Sequence, residues 1–306
     1  NNDNADATLT VSPTCDVTNT NDSGAGSLRA CITTANGTPG TTIRFNIPGP
    51  GNQSAGADSW WRITPLTWLP GFIASNTIID GTTQTTNQGN TNSLGPEIEI
   101  NGATVGGVGL DGFGVSSSAS NVTIRGFIIN RWSGAGISLW DGTGTVTGNY
   151  LGTNYAGTAA LANTGYGIYV NTNGNTIGGA TAAARNVIAG NGGPGIRIVG
   201  NSNTVQGNYI GVNATAGGAL PNASDGIQIT ATATGNTLGG TVTGAGNVIS
   251  GNTGGGISNS SSGSNSLQGN TIGTNASSAS LPNGGDGLYT SAGTVNLGNA
   301  SEAQSN

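Results

Sequence analysis

The chain repeats itself roughly every thirty residues, and a repeat of that length limits it to folds that stack one short unit on the next. Gly followed by Leu or Ile recurs at Gly109-Leu110, Gly136-Ile137, Gly167-Ile168, Gly195-Ile196, Gly226-Ile227, Gly256-Ile257 and Gly287-Leu288. A second row ends in Gly, as in Val146-Thr147-Gly148, Val205-Gln206-Gly207 and Leu267-Gln268-Gly269. A third follows at Ile128-Ile129, Tyr150-Leu151, Val187-Ile188, Tyr209-Ile210, Val248-Ile249 and Thr271-Ile272. A longer alternation lies over this one. Gly148-Asn149-Tyr150-Leu151-Gly152 returns two units later as Gly207-Asn208-Tyr209-Ile210-Gly211, and successive units place their longer insert alternately before and after the third segment.

Each segment is too short for a helix and rich in β-branched residues. Within Gly167-Ile168-Tyr169-Val170, Ile168 and Val170 share one face and Tyr169 takes the other. Three such strands per unit of ~30 residues describe one coil of a parallel β-helix, with coils ~4.8 Å apart. Ile129, Leu151, Ile188, Ile210, Ile249 and Ile272 then stack as one inward ladder. Gly and Asn suit the corners because both tolerate left-handed backbone angles, and a corner Asn can also bond the coil above or below. The fold class is therefore all-β, a parallel β-helix with a short N-terminal capping helix. Residues 109–306 form the regular coils and 1–108 the cap and irregular first coils of one continuous domain. The helix is expected over Ser27 to Asn36, with Ser27 as N-cap and Leu28, Cys31, Ile32 and Ala35 as its apolar stripe.

Composition closes off several functions. The chain has no His, so the side chain best suited to proton transfer near neutral pH is missing. With two Cys and no His, a zinc or iron–sulfur site is excluded, and no cofactor is expected. Seven Arg, no Lys and a net charge of −6 do not suit a nucleic-acid binder. No apolar run approaches the ~18 residues of a membrane span, so no membrane insertion is expected, and no leader is evident. Two free thiols are one reading of Cys15 and Cys31. A disulfide is favoured, because the weakly charged, Asn/Thr/Ser-rich surface fits an extracellular protein. Such a bond would tie the helix to the strand before it.

Asn19-Thr20-Asn21-Asp22-Ser23-Gly24-Ala25-Gly26-Ser27-Leu28-Arg29 and Ile79-Asp80-Gly81-Thr82-Thr83-Gln84 resemble the N-terminal module of bacterial right-handed β-helix surface proteins. The Gly-Asn-Tyr-Ile-Gly and Asn-Val-Ile-Ser-Gly-Asn repeats resemble the body of the same group. The resemblance spans about residues 16–300 and implies a right-handed parallel β-helix and an exported, adhesin-like or structural protein. It implies no catalytic residue. The cysteine pair departs from the pattern.

The remaining candidates divide between chemistry and packing. Glu97-Ile98-Glu99-Ile100 sets two carboxylates on one face ~7 Å apart, a separation within the inverting-glycosidase range. The same alternation buries Ile98 and Ile100, which accounts for the pattern without catalysis. Arg125 or Arg131 is the expected partner of these carboxylates. Asp225 and Asp286 share a repeat position two units apart and read as exposed turn residues. Outward positions beside the Gly-Ile row run Asp111, Ser138, Tyr169, Arg197, Gln228, Ser258, Tyr289; no single chemistry repeats there, as an ice-binding threonine array or a metal ladder requires. If Ile128, Tyr150, Val187, Tyr209, Val248 and Thr271 point outward, they form an apolar stripe suited to a partner; a kinked strand would bury them.

Trp132 and Trp140 are candidate glycan or partner contacts, as are Tyr150 and Tyr209 of the third-row stripe. Trp60, Trp61 and Trp68 are expected to pack the first coils. Leu9 and Val11 mark a candidate assembly strand, which would pair with another subunit. No catalytic residue is assigned. The expected function is that of a secreted or cell-surface structural β-helix: a rigid spacer, an adhesin stalk or a subunit of a filament. Its partners would be copies of itself or surface glycans. A carbohydrate-binding module and a polysaccharide lyase or glycoside hydrolase are the alternatives.

Overall fold

A computed structural model describes residues 12–298. The candidate assembly strand at Leu9 and Val11 lies outside the described residues. Within them, three parallel sheets stack coil upon coil, as a right-handed parallel β-helix requires. The ten-stranded sheet begins at Thr14–Val17 and ends at Thr294–Leu297. The seven-stranded sheet runs from Phe113–Val115 to Leu288–Thr290, and the nine-stranded sheet from Gln53–Ala55 to Thr271–Ile272. The pairing of Gln53–Ala55 with Asp58–Ile63 is antiparallel and edges the nine-stranded sheet. Parallel pairing carries the ten-stranded sheet without a break from residues before 109 into the regular coils.

The inward ladder forms in the expected register. Ile129 pairs with Leu151, Leu151 with Ile188, Ile188 with Ile210, Ile210 with Ile249, and Ile249 with Ile272. Ile188, Ile210 and Ile249 are wholly buried. One correction concerns the first member of the Gly-Ile row. Phe113, not Leu110, lies opposite Ile137, so Gly114 rather than Asp111 heads the outward column. In the first coils Phe45, Phe127, Phe113 and Phe72 fill the core, with successive ring centroids 5.3 to 5.7 Å apart.

Each of the three corners carries a column of asparagines, buried except for the last members Asn270 and Asn283, which are partly exposed. One column is Asn149, Asn186, Asn208, Asn247 and Asn270; a second is Asn163, Asn191, Asn222, Asn252 and Asn283; the third is Asn175, Asn203, Asn236 and Asn265. The bonding repeats. Asn186 donates from its backbone N and from Nδ2 to Oδ1 of Asn208, at 3.2 and 2.9 Å. Asn208 Nδ2 then reaches back to the Ile177 carbonyl at 2.9 Å and forward to Asn247 Oδ1 at 3.0 Å. A corner has no ladder partner for its amide, and the next coil's side chain supplies one. The preceding glycine makes room. Gly207 has φ +67°, and a Cβ there would strike the Gly179 carbonyl.

Helix α1, Leu28–Gly37, buries Leu28, Cys31, Ile32 and Ala35, and Ser27 caps it by accepting from the Ala30 amide. Cys15 and Cys31 form a disulfide that ties α1 to the first strand. A second helix, α2 (Thr82–Gln88), was not expected from its sequence, which has no apolar stripe. It is held from outside itself: Gln84 is fully buried and bonds both the N–H and the carbonyl of Ile47, at 2.9 Å each.

Removing one rung of a corner ladder should be costly. Asn208→Ala leaves the backbone N–H of Asn186 without an acceptor and its Nδ2 with the Val146 carbonyl alone, at about 1–3 kcal/mol for each bond lost. Urea denaturation is expected to show a loss on the order of 2–4 kcal/mol, against under about 0.5 kcal/mol for the exposed Asn90→Ala. Equal effects for the two would dismiss the ladder as a source of stability.

Candidate functional site

The glutamate pair is closed. Glu97 and Glu99 are 2% and 1% exposed, so neither carboxylate faces solvent. Glu97 Oε1 accepts from the N–H groups of Thr91 and Asn92, and Oε2 accepts from Thr91 Oγ1 at 2.7 Å. Glu99 Oε2 accepts from Trp60 Nε1 at 2.6 Å and Arg62 Nε at 2.8 Å; Oε1 accepts from Nδ2 of Asn101 and Asn130, both at 3.0 Å. Its ion-pair partner is thus Arg62. Arg125, expected in that role, pairs instead with Asp80, and Arg131 is exposed on the far side of a left-handed turn at φ +61°. Burial pushes the Glu99 carboxyl up, but hydrogen bonds from Arg62, Asn101 and Trp60, with the Arg62 charge, hold it below the ordinary carboxylate range. A general acid needs the opposite shift. Among the described residues no cluster of carboxylates and Cys could hold a metal ion.

The apolar third row does point outward, yet the chain's own inserts cover it. Val187 packs with Ala189 and Leu220, with Tyr150 and Ala214 against them; Val248 packs with Val212 and Ala216, joined by Tyr209 and Leu281. These small clusters form a second layer outside the nine-stranded sheet. Tyr150 Oη donates to the Leu94 carbonyl at 3.0 Å, and the guanidinium of Arg185 lies 4.1 Å from the Tyr209 ring centroid. Burial pushes the Tyr150 phenol above its ordinary value. Both tyrosines are half-buried members of this layer.

The two candidate tryptophans separate. Trp132 is 1% exposed and donates from Nε1 to the Ile100 carbonyl, in space left by the missing side chain of Gly102. It has no surface to offer a glycan. The left-handed turn at Arg131 redirects it inward, which alternation along the strand could not foretell. Trp140 is 48% exposed, as expected. Trp60 and Trp61 are buried, but Trp68, expected to pack, is 49% exposed.

Trp140 belongs to a group on the outer side of the seven-stranded sheet. Its ring centroid lies 4.8 Å from that of Tyr169, and Tyr166 stacks on Tyr169 at 5.5 Å. Arg197 lies beside Tyr169 in register and donates from Nη1 to Tyr166 Oη at 2.9 Å. Burial pushes the Tyr169 phenol up, so it remains a donor, here to Asn171 Oδ1. Asp111 fixes the indoles: its Oδ2 accepts from Trp140 Nε1 at 3.2 Å and its carbonyl from Trp68 Nε1 at 2.9 Å. Asp111 Oδ1 is occupied by the Ala135 N–H. Asp225 is likewise a turn residue, accepting from Gly255 N at 2.8 Å, and Asp286 is exposed.

Sequence reasoning also missed a threonine column on the ten-stranded sheet. Thr123, Thr145, Thr176, Thr204 and Thr237 lie opposite one another, followed by Ser266. The signal was present in the residue preceding the inward Val or Ile of the second row.

No family model matches the chain, and no curated protein matches it. Among solved structures it is similar to the A-module of the mannuronan C-5 epimerase AlgE4 of Azotobacter vinelandii, at 13% identity over 84% of this chain and 76% of that one, with a TM-score of 0.38. It is similar also to ORF18 of Geobacillus virus E2, at 13% identity over 93% of this chain and 61% of that one, with a TM-score of 0.33. The A-module of the A. vinelandii epimerase AlgE6 matches at 15% identity over 90% of this chain and 99% of that one, with a TM-score of 0.29.

The state of Glu99 makes stability depend on pH. Its carboxyl is more acidic folded than unfolded, so its contribution is complete above the unfolded value and disappears as pH falls through the lower folded one. Glu99→Gln is expected to destabilise the protein at neutral pH by about 3–5 kcal/mol, because Arg62 loses its buried partner. It is also expected to flatten the stability profile on the acid side, which denaturation at a series of pH values measures. A variant with the wild-type acid slope would show that Glu99 is not responsible.

Proposed function

We propose that the chain is a structural β-helix of the extracellular surface: a stiff, adhesin-like spacer or a subunit of a surface assembly. The observation that carries this reading is the set of three asparagine columns, one at each corner, running in parallel with an unbroken apolar core. Ten strands at the usual spacing make a rod about 43 Å long. Bending it would break side-chain bonds at a corner together with strand pairing, so the rod resists flexing along its axis. The disulfide and the absence, among the described residues, of a helix long and apolar enough to cross a membrane are compatible with secretion. Copies of the chain or surface glycans are the partners this role calls for.

A polysaccharide lyase or hydrolase is favoured less, because the carboxylate pair that would serve it is engaged by protein donors at every oxygen. Two measurements test the structural reading. Small-angle scattering is expected to fit one rigid rod of constant cross-section. Incubation with acidic and neutral polysaccharides is expected to release neither unsaturated uronates nor new reducing ends. Turnover of any of these polymers, or a scattering profile that demands a hinge, would overturn it.

A further inference from the structure

A β-helix does not need large side chains on its outer faces. The inward residues make the core, the corners make the ladders, and an outward residue on a bare sheet contributes only cross-strand contacts. Two of the three faces follow that economy or are covered: threonines line the ten-stranded sheet, and inserts coat the nine-stranded one. The seven-stranded sheet differs. At one end of it Trp140, Tyr169 and Tyr166 gather around no core, while Trp68 stands beside them.

These rings are held in place before any ligand arrives. Asp111 is 6% exposed and binds both indole N–H groups, so Trp68 and Trp140 are oriented while about half of each stays open to solvent. Fixing an exposed aromatic ring lowers the entropy lost when something binds it. The cation of the group is also uncommitted. Arg197 takes part in no ion pair among the described residues; its Nη1 is bonded, its Nε is buried without a partner, and its guanidinium carbon lies 5.6 Å from the Tyr166 ring centroid. Three of the other Arg residues pair with Asp, and Arg62 pairs with Glu99.

We propose that Trp140, Tyr169, Tyr166 and Arg197 form a platform for an acidic oligosaccharide, one sugar ring lying against Trp140 and a sugar carboxylate bonded by Arg197. The chemistry of both partners fits. The C–H face of a pyranose is apolar and slightly positive, as an aromatic face requires, while its rim needs hydrogen-bond donors and acceptors. A guanidinium with free N–H groups takes a carboxylate through charge-assisted bonds. Trp140 follows the strand Ile137–Leu139, and Arg197 lies two strands further on, a span of about 10 Å along the axis. The site is therefore long enough for adjoining sugars of one chain and suits a polymer better than a free monosaccharide.

Calorimetric titration with uronate hexamers of differing ring stereochemistry tests this, with cellohexaose as the neutral probe of equal length. At least one uronate hexamer is expected to bind, and cellohexaose to bind at least about tenfold more weakly. Trp140→Ala should reduce the affinity by about tenfold or more, as loss of a central aromatic anchor does. Trp140→Phe should recover part of it, and Arg197→Gln should weaken the uronate and leave the neutral probe unchanged. Thermal melts of the same variants are expected to stay near wild type. Failure of every uronate to bind at millimolar concentration, or affinity unchanged in Trp140→Ala, would overturn the site. Equal binding of cellohexaose would overturn the role of the carboxylate. Failure here would leave the rod-like scattering and the absence of turnover untouched.

Discussion

The fold depends on a side chain that can act as donor and acceptor at once, in a place where the backbone has lost its partner. A strand satisfies its own amides by pairing, but a corner breaks that pairing once for every change of sheet. In this chain the corner Asn takes the N–H and Nδ2 of the coil before it on one oxygen, and its own Nδ2 returns to a carbonyl of that coil. Among uncharged side chains only Asn and Gln carry an acceptor oxygen with two lone pairs beside a separate nitrogen with two donors, and Gln is a methylene longer. The bond also fixes register. A coil slipped by one residue would lose the Ile188–Ile210 contact and all three amide rungs together, so the ladders and the apolar column specify the same stacking.

What was legible in the sequence follows from locality. The inward ladder could be read because alternation and β-branching act within a few residues, and Ser27 announced α1 by the same short reach. The pairing of Cys15 with Cys31 was the favoured reading and is the observed one. The candidate catalytic pair was not decidable in that way. Glu99 is sealed by Trp60, 39 residues away in sequence, by Arg62 and by Asn130 from the next coil. Nothing in Glu97-Ile98-Glu99-Ile100 reports those neighbours. Helix α2 was illegible for the complementary reason. Its threonines are weak helix formers, and what holds it is the Gln84 amide gripping Ile47 and the Asp80 carboxylate accepting from the Thr82 N–H.

The sixty-residue alternation has a physical meaning that the thirty-residue repeat conceals. Inserts that follow the third strand fold back over the nine-stranded sheet, where Leu220 and Leu281 cover Val187 and Val248. They also touch each other: the Ala214 N–H bonds the Gly157 carbonyl, and the Ala276 N–H bonds that of Ala216. A second solenoid column with two-coil spacing thus lies against the first. The outward apolar residues of the third row are the inner wall of that column, which explains why they are apolar without any partner from outside.

The same layering isolates the seven-stranded face as the side on which the fold places least demand. An outward residue there can change without disturbing a ladder, a core contact or an insert. Gly114, Tyr169, Arg197, Gln228, Ser258 and Tyr289 show that freedom in a single column, in which Ser138 alone is wholly buried. Freedom of this kind tolerates small polar side chains at every position; it does not by itself produce two indoles bonded to one buried residue, Trp140 to the Asp111 carboxylate and Trp68 to the Asp111 carbonyl. A Trp left half in water forfeits part of the hydrophobic gain that makes it useful in a core. Where folding offers no return for that loss, binding is the remaining physical reason for holding the ring still.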